Sequence, residues 1–349
     1  MALRGPFPFA RPKAAAAAVT REDVIAAYRL ILGREPDEAG IDYHLGLGFP
    51  DVYALGRYFC GTEEFRDRSR GAQDPLHRPA TVFLGDRVLT HTHRGHKIYL
   101  PPTDVDLAPH LMTSGVWERN VEAAIERQLR PGARAVDVGA NIGYHTLAMA
   151  AAVGPTGRVD AFEANPQLIP LLRATFFVNG IRSWTHLHHV ALMDQPGRIV
   201  LAAEPDHFGS GNAVPAAAHP AEDVGPWSGY HQAYSVRHEV TATTLDAHFG
   251  ADPPPLDLIR LDIEGSEPQA LRGASGVIAR SPTVRIIAEW STAMMASRAD
   301  VGAFVAWLTE QGFGFWRIRA EDRGLDPLPA ADTLNLPHCD LVISRQEPA

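Results

Sequence analysis

Seven short apolar runs, ARAVDVG, GRVDAFE, THLHHVAL, LDLIRLDI, TVRIIAEW, FGFWRIRA and HCDLVISR, follow one another from residue 133 onward, most of them separated by helical stretches. Strands that alternate with helices form parallel pairs, because each crossover needs a dozen residues or more and covers a face of the sheet. The first four runs are almost continuously apolar, as strands buried on both faces are. The last two lie close together and need no helix between them, which predicts an antiparallel final strand. The chain is therefore expected to fold as a doubly wound α/β sheet of seven strands, mostly parallel, with the last one reversed.

In such sheets ligands sit beyond the carboxyl ends of the strands where the strand order reverses. The stretch DVGANIGYHTLAMAA, from Asp137 to Ala151, falls there. A dinucleotide fingerprint needs Gly-x-Gly-x-x-Gly, whereas Gly139 and Gly143 here enclose Ala-Asn-Ile and the middle glycine is missing, so phosphate is disfavoured. Asp137 at the strand end repels phosphate and favours an ammonium group. The next strand ends in FEANP, and Glu163, 26 residues beyond Asp137, is placed to accept both hydroxyls of a ribose. A zwitterionic amino-acid tail beside an adenosine meets these demands, and S-adenosylmethionine is that molecule; Asp137 as a simple helix cap is the alternative.

The formal net charge of −9, from 32 basic and 41 acidic residues, gives no electrostatic footprint for nucleic acid or an anionic membrane. No stretch approaches the roughly 18 uninterrupted apolar residues of a transmembrane helix. Cys60 and Cys339 form no metal or redox spacing and read as incidental thiols of a reducing compartment. Residues 1–19 read as a loose leader rather than a signal sequence, and the protein as cytoplasmic. Self-association is left open.

Residues 20–72 form a helical module, with Thr20 and Asp23 as a capping pair and Val24, Ile25, Tyr28 and Leu32 at helical spacing. Its stretch YRLILGREPDEAGIDYHLG resembles a small helical domain carried by bacterial secreted proteins and sugar-modifying enzymes. That family has a tryptophan where His44 stands here. The module either docks a glycan or partner, or braces its neighbour. A linker at 73–79 leads to the main domain, 80–349, which begins with hairpins over 80–116. His91, His93 and His96 read as solvated strand histidines rather than metal ligands, since no carboxylate or cysteine stands near them in sequence.

VDVGANIGYHT, VDAFEANP, TLDAHF and LIRLDIEGSEPQALRGA, in that order, resemble the FkbM family of S-adenosylmethionine-dependent O-methyltransferases. The resemblance implies a Rossmann-like class I methyltransferase fold, S-adenosylmethionine as cofactor, and a hydroxyl acceptor on a sugar, a surface glycan or a natural product. The family usually has proline where Ala164 follows Glu163. The cofactor contacts expected are Glu118, Asp137, Gly139, Ala140, Asn141, Gly143, Thr146, Glu163, Ala164, Ala191 and Asp262. Gly139 and Gly143 give close approach to the methionine part, Asn141 and Thr146 give hydrogen bonds, and Glu118 resembles a position that folds over the cofactor.

Methyl transfer to oxygen needs the acceptor held in line and relieved of its proton. Asp262 and Glu264, two apart in LDIEG, share a face if the strand continues that far, and crowding then raises one pKa into the range of a base. Capping the helix that follows, with Glu267 completing the cap, is the alternative. His145 and His207 are the other candidate bases. Asp262, Glu264 and Glu289 also form an oxygen set suited to Mg²⁺, although the resemblance does not demand a metal. The stretch EPDHFGSGNA, with Gly209, Gly211 and Asn212, reads as a mobile covering loop. Trp227, Tyr230 and Tyr234 read either as a stacking platform for a sugar or as core.

Two rival classes remain at this stage. A nicotinamide oxidoreductase shares the sheet but lacks here its third glycine and its tyrosine-lysine or cysteine machinery. A non-catalytic adaptor of a glycan pathway differs only in having lost turnover.

Overall fold

The computed structural model describes residues 19–32, 34–62, 64–65, 80–204, 207–215, 236–320 and 322–349. The leader up to residue 18, the linker at 73–79, and Trp227, Tyr230 and Tyr234 lie outside the described residues. The chain divides into two compact units, residues 1–77 and 78–349.

The first unit holds three helices, α1 (Arg21–Ile31), α2 (Glu38–Gly46) and α3 (Val52–Cys60). Each starts on a side-chain cap, Thr20 with Asp23 in a reciprocal box and then Asp37 and Asp51, which satisfy backbone N–H groups the first turn leaves free. Val24, Tyr28, Ile41, Leu55 and Phe59 close a small core. His44 is part of it. Its Nδ1 lies 2.7 Å from the Gly40 carbonyl and its ring packs 4.7 Å from that of Phe59, so it serves as packing where the related pattern has tryptophan.

The second unit opens with an antiparallel meander of β1 (Val82–Phe83), β2 (Val88–His91) and β3 (Lys97–Leu100), followed by helices α4 (Leu107–Ser114) and α5 (Arg119–Gln128). β2 ends at His91, so the expectation of three strand histidines is corrected. His93 lies on the turn beyond, where its N–H donates to Gly115 O and its ring sits 3.5 Å from Glu122.

The alternation then runs β4 (Arg134–Val138), α6 (Tyr144–Val153), β5 (Arg158–Glu163), α7 (Ile169–Val178), β6 (Thr185–His189), β7 (Ala191–Leu192), β8 (Gly197–Glu204), β9 (His207–Pro215) and β10 (Val236–Thr243). It continues with α8 (Leu245–Phe249), β11 (Leu258–Leu261), α9 (Glu267–Arg272), α10 (Ser275–Arg280), β12 (Arg285–Trp290), α11 (Thr292–Ala296), α12 (Val301–Glu310), β13 (Gly314–Ile318), β14 (Leu325–Leu328) and β15 (Cys339–Ser344).

The main sheet has the order β14-β13-β15-β12-β11-β4-β5-β6. β4, β5, β6, β11 and β12 are parallel, and β15 slots between β12 and β13 antiparallel to both. This is the expected α/β architecture, enlarged by an eighth strand. β14 and a 3-10 turn at Ala330–Asn335 fill what reads in sequence as a plain connection. Apolar side chains cover both faces, Ile125, Ile142 and Leu147 on one and Val277, Trp290 and Phe304 on the other.

THLHHVAL is not one strand. Its first half is β6, and its last two residues form β7 in a second sheet of order β7-β10-β8-β9. EPDHFGSGNA is likewise not a loop: residues from His207 on form β9, paired with β8. Its two glycines and Asn212 give it the composition of a loop, while its backbone pairs as an extended strand. No described helix is long and apolar enough to cross a membrane.

Candidate active site

The carboxyl ends of β4, β5 and β11 open onto a cleft whose far wall is the second sheet. At the end of β4 the chain turns sharply at Gly139, which has φ +82°. A Cβ there would come within 2.0 Å of the Asp262 carbonyl oxygen, so only glycine lets the ends of β4 and β11 touch. Gly143, at φ +91°, starts α6, and a Cβ on it would press 2.9 Å from Leu172. Both glycines thus satisfy contacts within the protein, a second reason for bare backbone beside the expected approach of a ligand. Gly139 lines the cleft; Gly143 is not among its lining residues.

The loop between them is pinned to β5. The N–H groups of Gly139 and Ala140 both donate to Phe162 O at 3.0 Å, and Asn141 N donates to Glu163 Oε2 at 2.7 Å. The other oxygen of Glu163 accepts from Asn165 N at 2.6 Å. Burial pushes this carboxyl up to about 7 despite those bonds. Each oxygen keeps a further lone pair, and Glu163 lines the cleft beside Ala164 and Asn165.

Asp137 is fully buried and does not line the cleft. Thr146 Oγ1 donates to its Oδ2 at 2.5 Å and Arg260 Nη1 lies 3.3 Å from its Oδ1. The expectation that Asp137 meets a ligand's ammonium group, with Thr146 beside it, is corrected: they face each other. Arg260 is the residue that sequence reading missed. It also donates to Gly139 O at 3.0 Å and to Asp262 Oδ2 at 2.5 Å, joining three pieces of the site from a position only 4% exposed.

β11 ends at Leu261, so Asp262 and Glu264 do not share a strand face. A turn with Glu264 at φ +56° brings them together all the same, and one ligand oxygen each of Asp262, Glu264 and Glu289 lie within 4.8 Å of one another. That spacing is short enough for a shared divalent cation or a shared proton. Burial first, and then Asp262, push Glu264 up to about 8 and Glu289 to about 11. Neither Asp262 nor Glu264 caps α9, whose N-cap, Ser266, makes no side-chain cap bond; Glu267 instead accepts from Ile263 N at 3.0 Å and fixes the turn.

His145 is 4% exposed and lies outside the cleft lining. Its Nε2 sits 2.9 Å from Glu118 Oε2, while its buried Nδ1 has no partner. This corrects its candidacy as a base: the ring faces Glu118, not open space. Burial tends to raise the Glu118 carboxyl, but His145 outweighs it and holds the group below the ordinary carboxylate range. Glu118 has φ +38°, a strained conformation for a side-chain-bearing residue. The side chain of His207 lies outside the described residues.

The far wall, missed except for Ala191, comes from Leu192, Ile199 and Leu201 of the second sheet and from Met193 just after β7. Within this apolar slot two polar atoms are orphaned, Asn141 Oδ1 and Asn165 Nδ2. Asn165 is only 2% exposed, and its Oδ1 accepts from Gln167 N at 3.0 Å, so its Nδ2 is a buried donor left without a partner among the described residues.

Two solved structures are similar to the chain at low identity. A putative rRNA methylase from Clostridium thermocellum has 13% identity and a TM-score of 0.39, over 66% of this chain and 96% of that one. An O-methyltransferase from Bacillus cereus in complex with SAH has 13% identity and a TM-score of 0.38, over 69% and 87%. No curated protein matches the chain. The family model of the methyltransferase FkbM domain matches residues 137–315, just over half of the chain and all of the β4, β5 and β11 ends that build the cleft, which sets aside the oxidoreductase reading. The chain belongs to the FkbM family of S-adenosylmethionine-dependent methyltransferases.

Proposed function

We propose that the protein methylates a hydroxyl of a sugar, surface-glycan or natural-product acceptor, and that the cleft between the main sheet and the second sheet holds S-adenosylmethionine. The observation that carries the placement is the pair of unpaired amide atoms, Asn141 Oδ1 and Asn165 Nδ2, flanking a buried carboxylate in an apolar slot. Adenosine offers what that slot asks for: a flat apolar base, ribose hydroxyls that donate, and ring nitrogens that accept. Glu163 accepts from the ribose, Ala164, Ala191, Ile199 and Leu201 enclose the base, and Gly139 and Asn141 line the path toward Asp262. When bound, the sulfonium supplies an electrophilic methyl group.

The residues of the chain position and deprotonate. Arg260 with Asp137 and Thr146 holds the Gly139–Asn141 loop, and Glu118, backed by His145, stands outside the lined slot as a cover. Asp262 is tied to Arg260, which leaves Glu264 as the carboxylate that takes the acceptor's proton onto its Oε. The free cysteines Cys60 and Cys339 accord with a reducing, cytoplasmic setting.

The test is single-turnover transfer of a labelled methyl group to nucleotide sugars, lipid-linked glycans and small polyols, alongside calorimetry with S-adenosylmethionine. Binding with label on a hydroxyl supports the reading. Binding without transfer to any member of the panel favours a non-catalytic adaptor of a glycan pathway, and label on nitrogen or carbon refutes O-methylation.

A further inference from the structure

Behind the floor of the cleft, three side chains that methyl transfer does not use converge. Asp160 comes from β5, His188 from the neighbouring β6, and His248 from α8, and one ligand atom of each lies within 4.8 Å of the others. Asp160 and Phe162 point to the same face of β5, and His188 stands opposite Phe162 in the parallel register. The rings of Phe162 and His188 stack at 4.7 Å, and His248 meets both edge-on at 4.8 and 4.4 Å. This packing fixes the imidazoles before any ion arrives.

The partners of each group leave room for an ion. His188 Nε2 lies 2.9 Å from Asp160 Oδ1, whereas the ring nitrogens of His248 have no hydrogen bond among the described residues. Arg158 also holds Asp160, through Nε at 2.7 Å and Nη2 at 2.8 Å. A carboxylate offers about four lone-pair sites, so Asp160 can keep one arginine contact and still ligate.

We propose that Asp160, His188 and His248 form a binding site for a divalent transition ion, zinc foremost. Two imidazoles and one carboxylate suit Zn²⁺, Co²⁺ or Ni²⁺ and do not suit Mg²⁺ or Ca²⁺, which take oxygen sets. Neutral histidine is the ligating form. The ion fastens α8 to β5 and β6. Phe162, packed on both imidazoles, carries the carbonyl that holds the Gly139 and Ala140 N–H groups, so the site braces the floor of the cleft from behind.

The test uses the full chain stripped of metal, titrated with Zn²⁺ against a chromophoric chelator and with Co²⁺ by visible absorption. One tight equivalent is expected, with the intense d–d bands of tetrahedral cobalt and a raised melting temperature. His248→Ala, at a partly exposed helix position, should weaken binding by at least about tenfold and remove the melting shift. His91→Ala, on the distant meander, should change neither. Equal binding by wild type and His248→Ala places the ion elsewhere and overturns the proposal, as does an absence of cobalt bands in wild type. Should His188→Ala fail to fold, the His248→Ala result decides alone.

Discussion

Arg260 on β11 stands directly opposite Asp137 on β4 in the parallel register, and its guanidinium is the cation nearest that buried carboxylate. Burying either charge alone is costly, so the pair holds only as a pair. Arg260→Met should therefore destabilise the second unit by about 3–5 kcal/mol, because Asp137 stays buried without its partner. Urea unfolding of the full chain measures this. The double variant Arg260→Met, Asp137→Leu should recover much of the loss; if it does not, the pair is not the source of the penalty.

Glu163→Ala should weaken S-adenosylmethionine binding by about 1.5–3 kcal/mol, the scale of a hydrogen bond to a charged group. Since burial sets this carboxyl at about 7, the wild-type affinity should also fall as the pH drops below that value, where a proton occupies the acceptor oxygen. An unchanged, pH-independent dissociation constant by calorimetry would remove Glu163 from the site.

If Glu264 is the base, Glu264→Gln should lower turnover by roughly 10²–10⁴-fold with cofactor affinity nearly kept. The wild-type rate should climb with pH and level off above about 8, because the group accepts a proton only once it has lost its own. That limb should vanish in the variant. Asp262→Asn should act differently, disturbing Arg260 and with it the loop. Activity abolished by EDTA and restored by Mg²⁺ would instead make the acids cation ligands.

Glu289 is raised to about 11 in the fold against an ordinary value near 4.5 in the unfolded chain. A group raised in this way contributes its stability below the unfolded value and loses it as pH rises towards the folded one. Glu289→Gln should accordingly melt at a higher temperature than wild type at pH 8 and close to wild type at pH 4. Melting curves at the two pH values check the sign.

Deleting residues 1–77 should leave S-adenosylmethionine binding intact, since every group in the cleft lies in the second unit. Use of a large glycan acceptor should change if the helical unit docks it. Loss of cofactor binding by a folded truncation would show that the two units act as one.

The sheet was legible because buried parallel strands leave long apolar runs, and the placing of Glu163 at the mouth of the cleft because the FEANP run ends its strand there. What stayed hidden follows from contacts that no local pattern records. Arg260 sits in an otherwise apolar strand, and only the β4–β11 register shows that it answers Asp137. Gly139 and Gly143 read as ligand-facing because the sequence does not say that the Asp262 carbonyl and Leu172 press on them. The slot wall at Ile199 and Leu201 lies on β8, a strand outside the seven apolar runs, in a second sheet that no local pattern announces. His145 looked like a base because a helix-start histidine shows its chemistry in sequence but not its direction.

The contact between Gly139 and the Asp262 carbonyl has a consequence for redesign. It joins the turn after β4 to the backbone that carries Asp262 and Glu264, so a side chain introduced at residue 139 would displace those two acids as well as the turn itself.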